Sequence, residues 1–230
     1  MAAFDRGIAA GADGLELDVR LSRDNLVVVH HDETLDRTTR TRGRVADRAA
    51  ADLAELDVPL LRDVLARYPG VPLIVELKES TAALTQAVVA DVRRAKAESR
   101  VCLGSFSVAA LRLVRREAPE IATSAGRFEV RMALYRSWIQ CSPGRVPYQA
   151  FQVPEISGTT RVVSPRFVKL AHRAGLSVQV WTVDEPADIH RLLDWGVDAI
   201  ITDRPDVAVE IVRERQSTAD SLGTTRRPSR

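Results

Sequence analysis

Cysteine is nearly absent: Cys102 and Cys141 are the only two in 230 residues, and they lie far apart without metal-type spacing. That argues against a disulfide framework or a cysteine-based metal site, and reads as two buried free thiols. Long apolar runs are absent too. None approaches the ~18 residues of a membrane-spanning helix, and no secretory signal is evident at the start, so a cytoplasmic location is expected. A surplus of one charge is also missing. Thirty-three basic against 31 acidic residues leave a net charge of +2, which gives no electrostatic case for nucleic-acid binding. What remains is 45% hydrophobic and 28% charged, a composition suited to a soluble globular protein. The length suits one large domain or two small ones.

The chain alternates short β-branched runs with amphipathic stretches. Strands are expected at 15–19, 72–77, 101–106, 121–124, 150–153, 177–183 and 199–202. A short run at Leu26–Val29 follows a Ser-Arg-Asp-Asn turn too tight for a crossover helix and reads as a local excursion. Helices are expected over 2–10, 59–68, 82–96, 108–117, 129–139, 165–174, 186–195 and 205–214, several of them stopped by glycine, as at Gly11, Gly175 and Gly196. Repeated βαβ units imply an α/β protein with a parallel sheet, here a (β/α)8 TIM barrel. Seven barrel strands are present where eight are needed, and the chain opens on a helix, so the first strand is expected to be lacking. Residues 1–214 form the expected barrel domain. Residues 215–230 are polar, without apolar period, and are expected to be disordered.

The chemistry concentrates at strand ends. Side chains alternate along a strand, so Glu16 and Asp18 share one face while Leu15 and Leu17 take the other. Two carboxylates forced together need a cation between them, or one must hold a proton. Glu76 and Lys78 share a face at the end of the next strand, as a salt bridge or as part of the same site. Three carboxylates at one barrel mouth suit a hard divalent cation, Mg or Ca, and Lys78 would add positive charge for a phosphate. His31 is the candidate general acid or base. His30 points the other way and reads as a packing histidine, and His172 and His190 lie on helices as surface residues. Trp181 ends a strand, as an apolar wall or as core.

Glu16-Leu17-Asp18, followed by His31-Asp32-Glu33-Thr34-Leu35-Asp36-Arg37-Thr38-Thr39, resembles the glycerophosphodiester phosphodiesterases. Ser105-Phe106, Trp181-Thr182-Val183-Asp184 and Gly196 to Pro205 resemble later motifs of that family in the same order. The resemblance implies a metal on Glu16, Asp18 and Glu76, substrate held by Lys78, and hydrolysis of a small glycerophosphodiester to an alcohol and glycerol 3-phosphate. The family's opening His-Arg-Gly, carried on its first barrel strand, is absent here. In the family its histidine partners the one matching His31, and its arginine contacts phosphate. The expectation is therefore a chain truncated before the first barrel strand, with Met1 not the native start. A second reading stays open: a catalytically inactive barrel that binds metal or a phosphate ligand without turnover. No partner chain or oligomeric state is legible.

Overall fold

The computed structural model describes residues 1–223. Its elements follow in chain order as α1 (Ala2–Ala10), β1 (Leu15–Leu21), β2 (Val27–Val29), α2 (Ala50–Ala54), α3 (Leu61–Arg67), β3 (Leu73–Leu77), α4 (Ala82–Arg94), β4 (Val101–Gly104), α5 (Val108–Glu117), β5 (Ala122–Thr123), α6 (Arg127–Trp138), β6 (Ala150–Pro154), β7 (Ile156–Ser157), β8 (Thr160–Arg161), α7 (Pro165–Arg173), β9 (Ser177–Trp181), α8 (Pro186–Asp194), β10 (Ala199–Ile200) and α9 (Pro205–Gly223). The seven barrel strands expected from the sequence are β1, β3, β4, β5, β6, β9 and β10. The last helix runs to Gly223, past the end at Glu214 set by its apolar pattern. Residues 224–230 of the expected disordered tail lie outside the described residues.

Strands β1, β3, β4 and β5 pair in parallel, as do β6, β9 and β10. A parallel bridge between Ser124 and Ala150 links the two sets into one curved series. Among the described residues no strand pairs β10 with β1. The helical layer does meet there, since α1 packs on α9. Gly11 stops α1 in the left-handed conformation at φ 103, and a Cβ placed on it would lie 3.3 Å from Val209. Glycine thus serves both the turn and the close approach.

Period-two alternation makes the walls. On β1 the buried Leu15, Leu17, Val19 and Leu21 join the apolar layer beneath the helices, which leaves Glu16, Asp18 and Arg20 on the inner face. On β3, Leu73, Val75 and Leu77 do the same and leave Ile74 and Glu76 inside. Helices are started by side-chain caps: Thr81 accepts from Leu84 N at the head of α4, and Ser164 accepts from Phe167 N ahead of Pro165 on α7. Apolar side chains on one face of each then complete the core.

The excursion after β1 is more than a loop. Leu21 pairs with Val27 and Val19 with Val29 in an antiparallel hairpin. The segment that follows, polar and irregular by its sequence, packs Leu35, Val45, Ala50, Leu53 and Val58 around Val28 as a small core of its own. This satellite carries His30, His31 and Asp32. Buried His30 bonds the Asp32 carbonyl through Nδ1 and the Thr38 hydroxyl through Nε2, both at 2.9 Å, which makes it the packing histidine the alternation implies. The cysteines depart in part from expectation: Cys102 is half-buried, but Cys141 is exposed, in the connection beyond α6.

Because the satellite core is distinct from those under the barrel helices, its loss should be local. Leu35 is fully buried, and Leu35→Ala should destabilise this unit by about 2–5 kcal/mol. Amide hydrogen exchange is expected to speed up across residues 27–58, with β3 and β4 little changed. Uniform acceleration through the barrel would show that the excursion is not a separate unit.

Candidate active site

The inner faces of β1 and β3 place the charged groups. Asp18 and Glu76 are register partners on these neighbouring parallel strands, and Glu16 faces Ile74 one step back. One ligand oxygen from each of Glu16, Asp18 and Glu76 lies within 4.8 Å of the others. The Lys78 ammonium, just past the end of β3, donates to Asp18 Oδ1 at 2.9 Å and to Glu76 Oε1 at 3.2 Å. Side-chain exposure here is only 14–19% for Asp18, Glu76 and Lys78, so water screens the cluster poorly.

The protonation equilibria record that crowding. Burial, then the neighbouring Asp18 and Glu76 carboxylates, push Glu16 up to about 8 against an ordinary 4.5, with Lys78 pulling the other way. Burial likewise raises Glu76. Burial also works against the charge of Lys78, but its hydrogen bonds and charge pairing with Asp18 and Glu76 prevail, and its pKa rises. One ammonium among three carboxylates leaves a surplus of negative charge. All-oxygen donors at this separation fit a hard divalent cation, by the chemistry of the donor set.

His31 lies at the same mouth. Its Nδ1 bonds Asp32 Oδ1 at 2.6 Å, and Asp32 in turn accepts from Arg37 Nε at 2.6 Å. Arg37, then His31, hold the Asp32 carboxyl well below the usual carboxylate range. The bond at Nδ1 orients the ring and leaves Nε2 as the nitrogen available to a ligand. Arg20, on the inner face of β1, donates twice to the His31 carbonyl, at 3.0 and 3.2 Å. Sequence reasoning picks out neither Arg20 nor the Asp32–Arg37 pair as support for His31. The strand alternation that marks Glu16 and Asp18 also marks Arg20, and this is the available signal.

All six residues expected at the site, Glu16, Asp18, His31, Glu76, Lys78 and Trp181, line one cavity of about 740 Å³. Trp181 is half-buried and meets the Phe106 ring edge-on at 6.1 Å between centroids, so it is a wall of the cavity rather than core. The β7–β8 hairpin forms another side through Ser157 and Thr160. It is tied down by Glu155, which pairs with Arg161 and, at 2.6 Å, with Arg191. The two remaining histidines are away from the cavity: His172 pairs with Asp198 at 2.8 Å, and His190 is exposed. Among the described residues no helix is long and apolar enough to cross a membrane.

The chain has relatives among known proteins. The model of the glycerophosphoryl diester phosphodiesterase family matches residues 1–207. An uncharacterized protein, YqiK, of Bacillus subtilis is 33% identical, the match covering 93% of this chain and 92% of that protein. A Mycobacterium tuberculosis protein described as "probable glycerophosphodiester phosphodiesterase 2" is also 33% identical, over 94% of this chain and 85% of its own. The crystal structure of a glycerophosphodiester phosphodiesterase from Agrobacterium tumefaciens superposes with a TM-score of 0.72 at 26% identity, covering 92% of this chain and 91% of that one. The parallel α/β architecture is that of the TIM barrel.

The raised Glu16 predicts how metal-free protein responds to pH. Folding favours its protonated form, so the stability linked to this group is complete below the ordinary 4.5 and is lost as the pH rises through about 8. In chelator, the thermal midpoint should therefore fall across this window, and Glu16→Gln should flatten the fall. Adding Mg or Ca should restore the midpoint most at the alkaline end, because a cation bound only by the folded state stabilises it. An equal fall in Glu16→Gln would assign the effect to other groups.

Proposed function

The chain belongs to the glycerophosphoryl diester phosphodiesterase family, which makes it a phosphoric diester hydrolase, and from that premise we propose that it hydrolyses glycerophosphodiesters to an alcohol and glycerol 3-phosphate at the Glu16–Asp18–Glu76 cluster with the aid of a divalent cation. The observation that carries this reading is the convergence of three carboxylates within 4.8 Å in the cavity that also holds His31 and Lys78.

Glu16, Asp18 and Glu76 are the residues to hold Mg or Ca. A cation bound there supplies Lewis-acid charge to the phosphoryl oxygens and a fixed point for the substrate's glycerol hydroxyls. Lys78 adds a second positive charge against the non-bridging phosphate oxygens, in a site sheltered enough for that charge to count. His31 exchanges a proton through Nε2, with Asp32 holding the ring by Nδ1. Arg37 bonds both Asp32 oxygens and keeps this carboxylate ionised. Arg20 fixes the His31 backbone, so the ring's position relative to the β1 carboxylates is set from two sides. Trp181 offers an apolar face to the glycerol carbons.

The test is release of glycerol 3-phosphate from glycerophosphocholine, followed with and without chelator. Turnover should vanish on chelation and return with Mg or Ca. His31→Asn should lower kcat by about 10²–10⁴-fold while calorimetric cation binding is preserved. Asp18→Asn should lose both binding and turnover. Cation binding to the native protein without any turnover would instead support the barrel that holds a ligand without chemistry.

A further inference from the structure

Large apolar side chains left in water are gathered at one place. Among the described residues seven are exposed, and five of them, Phe128, Met132, Tyr135, Trp138 and Ile139, lie on α6 and the residue after it, at 43–76% exposure. The other two stand at the same mouth of the barrel: Phe106 lines the cavity, and Ile156 precedes Ser157 in the β7–β8 hairpin that walls it. The exposed faces of α5 and α7 are polar by comparison, carrying Arg112, Arg116, Arg166 and Lys169. α6 turns Ala133, Leu134 and Ser137 into the core, yet its outer side is apolar as well. Phe128, Met132, Tyr135 and Ile139 follow at i, i+4, i+7 and i+11, which makes one continuous stripe.

The charges around this stripe have one sign. Arg127, Arg131, Arg136 and Arg145 are exposed, and from 127 to 154 the only acidic residue is Glu129. That carboxylate is already taken. It receives a two-pronged ion pair from Arg115 at 2.7 and 3.0 Å, only 12–16% exposed, and accepts from Gly126 N at 2.8 Å. The pair pins the start of α6, so the helix holds its stripe in water rather than folding it away. Arg127 and Arg131 lie over the Phe106 and Phe128 rings, 5.1 and 5.5 Å from the centroids, and Arg136 donates to the Ser142 carbonyl at 3.0 Å. Among the described residues none of the four exposed arginines meets a carboxylate. A contiguous apolar face ringed by uncompensated arginines marks an interaction surface.

We propose that this face docks the protein on an anionic lipid surface. Phe128, Met132 and Ile139 enter the boundary between head groups and acyl chains, Tyr135 and Trp138 lie at head-group level, and the arginines meet the lipid phosphates. Charge complementarity selects this occupant. A second copy of the chain on the same face would set arginines against arginines. Nucleic-acid bases would stack on the rings, but Met132 and Ile139 between them offer no such platform. A lipid surface matches both halves of the pattern, with anionic groups in a plane over an apolar layer. Docking of this kind needs no helix that crosses the membrane. Tyr135 and Trp138 also line the cavity, so its mouth opens beside the lipid surface. The proposal stands apart from the phosphodiesterase reading, since it uses none of Glu16, Asp18, His31, Glu76 and Lys78.

The test is flotation of the full chain with vesicles of phosphatidylcholine alone and of phosphatidylcholine mixed with phosphatidylglycerol. The mixed vesicles should carry the protein, the neutral ones should not, and added salt should release it. Phe128→Ser with Met132→Ser should lower the partition coefficient at least about tenfold. Arg131→Gln with Arg136→Gln should lower it about 25-fold, about fivefold for each charge, and should weaken the salt dependence. All four positions are exposed, and an unchanged thermal midpoint shows that the variants fold. Contact is read directly with brominated lipid, where quenching of tryptophan fluorescence should be lost in Trp138→Phe, which keeps Trp181 and Trp195. Native protein that ignores the mixed vesicles, or binds neutral ones as tightly, overturns the proposal. Binding that survives both double variants also overturns it and places the contact elsewhere, such as on the arginines beyond residue 223. A dimer in sedimentation velocity that Phe128→Ser with Met132→Ser abolishes, with no vesicle binding, would assign the face to a second copy and refute lipid docking.

Discussion

Three carboxylates and one ammonium at the mouth of two parallel strands are the constraint on which the rest depends. At separations within 4.8 Å and an effective dielectric of ~20, each ionised carboxylate pair repels by on the order of 3 kcal/mol. Lys78 offsets part of this through its bonds to Asp18 and Glu76, and Glu16 offsets part by holding its proton up to about 8. Neither removes the surplus charge. Such an arrangement is unfavourable for the fold alone, and it persists because the apolar residues alternating with it bury so well. Leu17, Val19, Val75 and Leu77 are each 3% exposed or less. The leucines and valines that drive β1 and β3 under the helices necessarily turn the charged residues inward.

That coupling explains why the charged site is legible in the sequence. Period-two alternation on Leu15–Val19 and on the strand ending at Leu77 puts Glu16, Asp18 and Glu76 on inner faces. Parallel pairing of consecutive βα units then sets Asp18 beside Glu76. The seven barrel strands are equally legible, because each is a short apolar run between helices with recognisable stops. What stays hidden depends on contacts between segments distant in sequence. The satellite core joins Val28 to Val58 through scattered residues with no period. The Arg115–Glu129 pair that fixes α6, and the Glu155–Arg161–Arg191 tie beneath the hairpin, join side chains with no marked spacing. The apolar pattern stops α9 short because the sequence beyond Glu214 is polar, and an apolar period cannot mark a helix of that composition.

His31 shows how the two levels meet. Its residue type marks it as a candidate proton carrier, but only the fold shows what holds it. Arg20 comes from the same inner face as the carboxylates and grips the His31 backbone, while Arg37 grips Asp32 from within the satellite. The histidine is thus tied both to the barrel strand and to the excursion. The carboxylates thus sit on barrel strands and His31 on a segment with a small core of its own, and both line the same cavity.

The most direct test of the central claim is anomalous diffraction from crystals of the protein grown with manganese, a divalent ion suited to oxygen ligands. The account predicts one strong peak within about 2.0–2.6 Å of carboxylate oxygens from Glu16, Asp18 and Glu76, with the Lys78 ammonium withdrawn from at least one of its carboxylate partners. A cluster without a peak, still bridged by Lys78 while manganese binds elsewhere, would contradict it and would make these carboxylates a buried salt-bridge network rather than a metal centre.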